Sequence, residues 1–250
     1  MKQLCCFITV LAACITPVVA QPPGLVVSVA ASVSDALDEI AGRYRAATGV
    51  IVAVNAGGSN TLARQIVEGA RASLFLSADE RQMDVVDKAG RIAAGTRTRL
   101  LTNELVVIAP SAPASGVTVA QLLEGRVARL AMGEPGAVPA GVYGRTWLER
   151  QGAWARLQPK VVPFPTVTAV LSAVANARVD AGIVYRTDAM RATDVRVVGR
   201  IERKDHPYLE ISYPAAVIVG AGEVEARKFL EFLKGPIARE VFDRRGFGRP

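Results

Sequence analysis

The sequence predicts an α/β protein of two lobes, each with a largely parallel sheet flanked by helices. Two observations predict this fold class. Apolar, strand-like runs alternate with helical patterns along almost the whole chain, which is typical of parallel sheets covered by helices. The chain also has 250 residues, of which 50% are hydrophobic, and no low-complexity tract divides it. That is enough for two lobes of ordinary size, joined by chain crossings near 101–108 and 205–214.

The first twenty residues are typical of an export signal. Lys2 supplies the positive charge, residues 4–15 form an apolar run, and Val18 and Ala20 are small residues before a cleavage point. The apolar run is too short to span a membrane. We therefore expect residues 1–20 to be a signal peptide. The segment "LAAC" leaves an alternative open, in which Cys14 carries a lipid anchor.

The cysteines and the histidine argue against several kinds of site. All three cysteines, Cys5, Cys6 and Cys14, lie in the expected signal, so the mature chain would have neither a disulfide nor a thiolate site. His206 lies in the polar run "ERKDHPYLE" without a carboxylate–histidine cluster, so we expect no zinc or iron site. The net charge of +7 comes from dispersed arginines without interleaved aromatic residues, so we expect no nucleic-acid partner.

The first half predicts three strands and three helices. Residues 25–31 are a continuous apolar run after Pro23 and Gly24, as expected of a strand buried on both faces. Residues 34–49 place apolar side chains at helical spacing, and Gly49 ends the helix. The same alternation predicts strands over 50–56 and 73–79 and helices over 60–70 and 79–89.

The second half repeats this alternation. It predicts strands over 103–111, 127–135, 181–188 and 213–220, and helices over 139–152, from about 166, over 223–235 and over 236–248. The last two helices are separated at Gly235-Pro236, where a glycine end is followed by a proline start. We divide the mature chain into lobe I, residues 21–103 and 214–250, and lobe II, residues 104–213.

Four strand-to-helix junctions are candidates for an anion site. In open α/β sheets ligands collect at such junctions, because unpaired N–H groups and the helix dipole favour negative charge. The junctions are "AASVS" with Ser32, "AGGSNTLARQ" with Ser59, "GEPGAVPAGVY" with Ala140, and "PFPTVTAVL" with Thr166 and Val167. Taken singly, serine and threonine there are ordinary helix caps. Repetition of the same small, donor-rich junction in both halves favours a ligand.

The order of the motifs resembles the molybdate-binding proteins that serve ABC importers, the ModA family of periplasmic binding proteins. The resemblance extends from Leu25 to Phe247 and is carried by "AASVSDAL", "GSNTLARQIVEGA", "LFLSADE", "NELVVIAP", "GEPGAVPAGVY", "VTAVLSAVANARVDAGIVYRTDA" and "FLEFLKGPIAREVFDRRGF". It implies a two-lobed periplasmic-binding-protein fold of type II, with a mixed, mostly parallel sheet in each lobe and the ligand in the cleft. It also implies a monomer in the periplasm that delivers molybdate, and also tungstate, to the transmembrane subunits of an ABC permease.

The resemblance further implies the donors of the site. Ser32 and Ser59 would each donate through backbone N–H and hydroxyl, Ala140 and Val167 through backbone N–H, and Tyr185 through its phenol. The protein would not ligate the molybdenum itself, and no cofactor is implied. The chain departs from the family at "AGGSN", where the family often has a serine-rich run, and at Ser73, where it commonly has an aspartate. Neither departure removes a donor.

All of the expected donors are neutral, which fits a fully deprotonated oxyanion. Hydrogen phosphate still carries a proton and would need a carboxylate acceptor, whereas sulfate differs from molybdate only in size. A binding protein for sulfate, an organic anion or a ferric complex stays an alternative, as does a serine-dependent enzyme. The enzyme is disfavoured because neither serine lies in a G-x-S-x-G elbow and His206 lies in a polar stretch. The ferric complex is disfavoured because Tyr185 has no second tyrosine in its segment.

Overall fold

The computed structural model describes residues 24–112, 116–220 and 222–250. The expected signal peptide, its cleavage point and the alternative anchor at Cys14 lie outside the described residues. Within the described ranges, no helix is both long enough and apolar enough to cross a membrane.

Ten strands and ten α-helices alternate along the described ranges. The strands are β1 (Leu25–Ala30), β2 (Val52–Gly57), β3 (Leu74–Leu76), β4 (Thr98–Thr102), β5 (Leu105–Pro110), β6 (Leu130–Gly133), β7 (Val161–Phe164), β8 (Ala181–Tyr185), β9 (Val195–Ile201) and β10 (Ser212–Val217). The helices are α1 (Ser34–Thr48), α2 (Ser59–Val67), α3 (Glu80–Lys88), α4 (Val119–Leu123), α5 (Pro139–Arg150), α6 (Trp154–Leu157), α7 (Val167–Ala175), α8 (Arg186–Ala189), α9 (Glu223–Lys234) and α10 (Pro236–Arg244).

The strands form two five-stranded sheets, as expected of a two-lobed fold. The strand order is β2-β1-β3-β10-β4 in the first sheet and β7-β6-β8-β5-β9 in the second. The chain passes from the first sheet to the second at residues 103–104 and returns at 202–211. The bounds of lobe I and lobe II given above stay our own division, and we keep these names for the parts that contain the first and the second sheet.

Both sheets are mixed, but parallel pairing is less dominant than predicted. The strand β1 runs parallel to β2 and β3, and β6 runs parallel to β7 and β8. By contrast, β10 runs antiparallel to β3 and β4, and β5 runs antiparallel to β8 and β9. The antiparallel pairings therefore all involve β5 or β10, the two strands that enter a lobe directly from the other one.

Every strand and helix predicted above has a counterpart, with ends that differ by a few residues. Three strands escape prediction, namely β4, β7 and β9, and each forms an edge of its sheet. Their sequences are "TRLLT", "VVPF" and "VRVVGRI", in which charged residues or a proline interrupt the apolar run. An edge strand is only half covered, so it can do without the continuous apolar pattern of a central strand. The fourth edge strand, β2, keeps such a run in "VIVAVNA" and was predicted.

The C-terminal residues return to the first crossing between the lobes. Gly248 and Thr102 exchange two backbone hydrogen bonds of 2.9 Å each. The hydroxyl of Thr102 also donates to the carbonyl oxygen of Arg249 at 3.2 Å. Just before this contact, the ring of Phe247 packs against Tyr213, with 5.6 Å between the ring centres. The last residues are thus bound to the end of β4, beside residues 103–104.

Candidate functional site

A small cavity lies between the two sheets, where strands end and helices begin. The space between the lining residues is about 240 Å³, including the part that is open to solvent. It is lined by Ala30, Ala31, Gly57, Gly58, Ser59, Ala78, Val138, Pro139, Ala140, Thr166, Val167 and Tyr185. These residues come from the four junctions singled out in the sequence, together with Ala78 and Tyr185. None of them carries a charge.

Ser59 lines the cavity as the first residue of α2. The residue before it, Gly58, has no side chain to cap the helix, so the first N–H groups of α2 keep no side-chain partner. The hydroxyl oxygen of Ser59 instead accepts the backbone N–H of Ala78 at 3.0 Å. Because the hydroxyl oxygen of Ser59 already accepts this hydrogen bond, the hydroxyl proton can be donated to an acceptor in the cavity.

Ser32 directly follows Ala30 and Ala31, which form the cavity wall at this junction. Its side chain is buried, and its hydroxyl contacts the phenol of Tyr213 at 3.0 Å. The residue that precedes α1 is Val33, and neither Val33 nor Ser32 provides a side-chain cap. Capping therefore does not account for a serine at this junction. Ser32 is the one expected donor that does not itself line the cavity.

Ala140 and Val167 line the opposite wall from lobe II. Ala140 follows Pro139 at the start of α5, a helix without a side-chain cap. Val167 is the first residue of α7, where the hydroxyl of Thr166 accepts the N–H of Ala169 at 3.1 Å. Thr166 is thus an ordinary helix cap. Its hydroxyl does not bind the N–H groups of the two residues before Ala169.

Tyr185 closes the cavity at the end of β8. Its side chain is 1% exposed, and its hydroxyl has no hydrogen-bond partner among the described residues. Burial raises the pKa of this phenol well above its usual value, so the group keeps its proton. A buried hydroxyl without a partner costs about 1–3 kcal/mol, which a ligand at this position would recover.

Two buried carboxyl groups lie near the cavity without lining it, and the sequence did not single them out. Asp79 follows the lining residue Ala78 and caps α3 by accepting the N–H of Gln82 at 2.9 Å. Burial raises the pKa of Asp79 to about 6. Asp188 accepts the backbone N–H of Tyr185 at 3.3 Å, and burial raises its pKa to about 7 against the opposing charge of Arg191.

The lobes touch each other around the cavity. A Cβ added to Gly58 would lie 2.7 Å from the carbonyl oxygen of Pro165 in lobe II, so only glycine fits at this approach. Further contacts run from Arg81 to the carbonyl oxygen of Gly136 at 3.1 Å and from Gln82 to that of Ala137 at 3.4 Å. On another side of the interface, Arg191 of lobe II forms an ion pair with Asp35 of lobe I.

Two residues behind the cavity also escaped prediction from the sequence. Tyr213 and Asn103 are buried, and Asn103 donates to the Tyr213 phenol at 3.2 Å. Their only local signal is a polar side chain within or beside an apolar strand, in "ISYPAAV" and "TNELVVI". His206, by comparison, contacts Tyr208 on the second crossing and does not line the cavity. No group of three or more potential metal ligands occurs in the parts of the chain that the structure describes.

Comparison with known proteins gives consistent matches over nearly the whole chain. The family model "Bacterial extracellular solute-binding protein" matches residues 25–248. The chain is 40% identical over 230 residues to "Molybdate-binding protein ModA" of Escherichia coli strain K12, covering 89% of this chain and 88% of the relative.

Solved structures agree with these matches. The periplasmic molybdate-binding protein of Azotobacter vinelandii superposes with a TM-score of 0.80 at 26% identity, covering 90% of this chain and 99% of that one. The sulfate-binding protein SubI of Mycobacterium tuberculosis superposes with a TM-score of 0.76 at 14% identity, covering 90% of this chain and 86% of that one. At that identity the second match concerns the fold alone, which is the type II periplasmic-binding-protein fold.

Proposed function

The chain belongs to the bacterial extracellular solute-binding proteins and, within them, to the ModA proteins, and from this premise we propose that it captures molybdate in the cavity between its lobes. The family consists of transport proteins that bind a solute, so the chain is a binding protein and not an enzyme. The proposed donors are Ser32, Ser59, Ala140, Val167 and Tyr185. Tungstate, which has the same charge and nearly the same size, is proposed as a second ligand.

The observation that carries the proposal is the partnerless hydroxyl of Tyr185. It faces a cavity without any charged lining residue, opposite the hydroxyl of Ser59. A polar group buried in this way is costly unless a ligand satisfies it. An acceptor in the cavity, and in particular a negatively charged oxygen, is the complement of that hydroxyl.

Neutral donors supply the binding energy of such a site. Each hydrogen bond to a charged oxygen contributes about 1.5–3 kcal/mol before desolvation is counted. The starts of α2, α5 and α7 add the positive ends of three helix dipoles, each worth roughly 0.3–1 kcal/mol. In the proposed site, bonds and dipoles of this kind, arranged around one small cavity, hold the dianion in place of an arginine or lysine.

The same donors determine which anions are rejected. A protonated oxyanion would direct an O–H group at another donor, and no lining side chain is a carboxylate that could accept it. Sulfate is also a fully deprotonated dianion, so its rejection depends on the size of the cavity. Because the lobes already touch at Gly58 and Pro165, they cannot move closer around a smaller ion, and we expect sulfate to contact the donors of both lobes less well than molybdate does.

Closure of the lobes connects binding with transport. The bound anion favours the closed form, because the donors of both lobes reach it only there. We propose that transmembrane subunits of an ABC permease recognise this closed form. We also propose that the chain acts as a monomer in the periplasm, either released after Ala20 or held at the membrane through a lipid on Cys14.

Thermal shift and calorimetry with the purified protein test the proposal. Sodium molybdate and sodium tungstate are each expected to raise Tm strongly, phosphate not at all, and sulfate only slightly. Binding that saturates at one anion per chain is expected in calorimetry. A sulfate shift equal to the molybdate shift would assign the cavity to another oxyanion, and no shift with any of the four would remove the proposal.

A further inference from the structure

A chain of buried polar groups runs behind the cavity wall from the first crossing to Ser32. Asn103, Tyr213 and Ser32 are 7%, 0% and 4% exposed. The amide nitrogen Nδ2 of Asn103 lies 3.2 Å from the Tyr213 phenol oxygen, and that oxygen lies 3.0 Å from the Ser32 hydroxyl. None of these three residues lines the cavity, but Ala31, which precedes Ser32, does.

The partners of Asn103 fix the direction of its amide. Its oxygen Oδ1 accepts the backbone N–H of Glu104 at 2.9 Å, so its Nδ2 must face the other way. The two protons on Nδ2 are then donated to the hydroxyl of Thr187 at 2.9 Å and to the phenol of Tyr213. Toward Tyr213, Asn103 is therefore a donor and never an acceptor.

Either oxygen could donate in the contact between Tyr213 and Ser32, and the bond from Asn103 favours donation by Tyr213. Because the Tyr213 oxygen accepts from Asn103, the proton of the phenol is available for the Ser32 oxygen. Burial raises the pKa of Tyr213 well above its usual value, so that this proton is present at neutral pH. A Ser32 oxygen that accepts from Tyr213 keeps its own proton free for a different acceptor.

We propose that Tyr213 and Asn103 are positioning residues that hold the Ser32 hydroxyl as a pure donor toward the anion. The proposal deepens the proposed function and rests on it. It gives Ser32 the same state as Ser59, whose oxygen accepts the N–H of Ala78 at 3.0 Å. Each serine then offers only a proton to an anion that reaches it, and both disfavour an anion that carries a proton of its own.

The position of Asn103 also links this donor to the crossing between the lobes. Asn103 lies between β4 and β5, and its second amide proton is donated to Thr187, two residues after Tyr185. Asn103 thus contacts Tyr213, which orients the lobe I donor Ser32. It also contacts Thr187, which follows the lobe II donor Tyr185. Any shift of this crossing changes both contacts together.

A double-mutant cycle tests the proposal by calorimetry with sodium molybdate. Tyr213→Phe keeps the ring that packs 5.7 Å from Tyr185 and 5.6 Å from Phe247, and removes only the hydroxyl. We expect it to weaken molybdate binding about tenfold, as expected for the loss of one charged hydrogen bond. In a Ser32→Ala background the same change should have little further effect, because no hydroxyl is left to orient.

Two further measurements separate positioning from a loss of structure. Tyr44→Phe is the matched control, because Tyr44 is also buried in lobe I and donates its phenol to Glu225, away from the cavity. It should lower Tm without ligand while leaving molybdate affinity unchanged. Tyr213→Phe should also reduce the preference for molybdate over phosphate, since a released Ser32 hydroxyl can turn and accept a proton.

The possible outcomes are distinct. If Tyr213→Phe and Ser32→Ala weaken binding additively, or if Tyr213→Phe leaves affinity unchanged, the positioning role is wrong while the proposed function stands. If the unmodified protein does not bind molybdate, both are wrong. Should Tyr213→Phe fail to fold, Asn103→Ala in the same cycle with Ser32→Ala gives the test, and additivity there overturns the proposal equally.

Discussion

The two lobes build their halves of the cavity from the same kind of junction but leave their donors in different states. In lobe I the hydroxyl oxygens of Ser59 and Ser32 already hold buried partners, Ala78 and Tyr213. In lobe II the phenol of Tyr185 is buried without a partner. In the proposed site, the two hydroxyls of lobe I thus have buried partners before any anion arrives, whereas the phenol of lobe II gains a partner only from a ligand.

This difference assigns different roles to the two halves. A donor that is already oriented costs little to use, so lobe I suits the first encounter with the anion. The Tyr185 hydroxyl has no partner when the lobes are closed without a ligand, which makes that state unfavourable. We therefore expect Tyr185 to favour closure only after the ligand has bound. The predictions below compare the lobes, from the largest expected effect on molybdate affinity to the smallest.

Tyr185→Phe is expected to have the largest effect. The variant loses one hydrogen bond to the anion, worth about 1.5–3 kcal/mol, or roughly a tenfold to hundredfold loss of affinity. Without ligand, the variant should be at least as stable as the parent, because a buried hydroxyl without a partner has been removed. Calorimetry measures the molybdate affinity, and thermal melts of the ligand-free protein measure the stability. A variant with lower Tm and full affinity would contradict it.

Ser59→Ala should affect both properties at once. The variant loses a donor to the anion, so affinity should fall about tenfold. It also leaves the N–H of Ala78 buried without its acceptor, so the ligand-free protein should lose about 1–3 kcal/mol of stability. Chemical denaturation measures that loss, and Thr166→Ser, which retains a capping hydroxyl in lobe II, is the matched control. If Ser59→Ala were as stable as its parent, the hydrogen bond to Ala78 would not stabilise the ligand-free protein, and the proposed difference between the lobes would be wrong.

Gly58→Ala should weaken binding by obstructing closure. The added methyl group would lie 2.7 Å from the carbonyl oxygen of Pro165 and 2.8 Å from Oδ1 of Asn60. Because the first contact crosses between lobes, molybdate affinity should fall several-fold, by roughly 1 kcal/mol, with little change in the ligand-free Tm. In Gly141→Ala the corresponding contact, 2.1 Å from the carbonyl oxygen of Gly133, lies within lobe II. That variant should instead be destabilised.

Gly42→Ala provides the matched control for both glycine variants. Gly42 lies inside α1, and a Cβ there would meet nothing within 4 Å. Alanine is favoured over glycine in a helix by roughly 0.5–1 kcal/mol, so this variant should be slightly more stable with unchanged affinity. A Gly58→Ala variant that behaves like Gly42→Ala would show that the approach to Pro165 does not matter for binding.

Asp79→Asn should have the smallest effect on affinity and a visible effect on pH dependence. The folded-state pKa of Asp79 is raised by burial to about 6, above its ordinary value of 3.8. The folded protein therefore holds this proton more tightly than the unfolded chain. Its stability should fall as pH rises from about 4 through 6, by up to about 3 kcal/mol, and then level off.

The asparagine variant removes that dependence and still accepts the N–H of Gln82 as a cap. Relative to the parent it should be more stable at pH 8, with the difference vanishing near pH 4. Without the negative charge beside Ala78, molybdate should bind a few-fold more tightly at pH 8, a gain of under about 1 kcal/mol. Denaturation and calorimetry at both pH values check this, and parallel pH profiles would contradict it.

The sequence was most informative about segments whose environment is local. Central strands such as β1 and β5 are buried on both faces, and their continuous apolar runs identify them. The starts of α2, α5 and α7 were equally visible, since glycine, proline and threonine mark them. The edge strands β4, β7 and β9 were missed because charged residues or a proline interrupt their apolar runs, which an edge position tolerates.

The parts of the site that were missed depend on contacts between distant segments. Ser32 and Tyr213 are 181 positions apart, and Asn103 and Tyr213 are 110 positions apart. No local pattern records that the chain brings them together. The sequence also could not distinguish the hydroxyl of Thr166, which caps its own helix, from that of Ser59, which accepts the N–H of the distant Ala78. Both lie at the start of a helix, and only the fold determines which N–H group each hydroxyl oxygen accepts.

The contact of Gly248 and Arg249 with Thr102 has a practical consequence for anyone handling this protein. A purification tag or fluorescent reporter attached after Pro250 would lie beside residues 103–104, one of the two crossings about which the lobes move in the proposed closure. Removing the residues after Phe247 would remove all three of these hydrogen bonds from Thr102. Reporters are better placed at an exposed turn outside this contact, such as the one at Gly69, where they leave the hydrogen bonds of Thr102 in place.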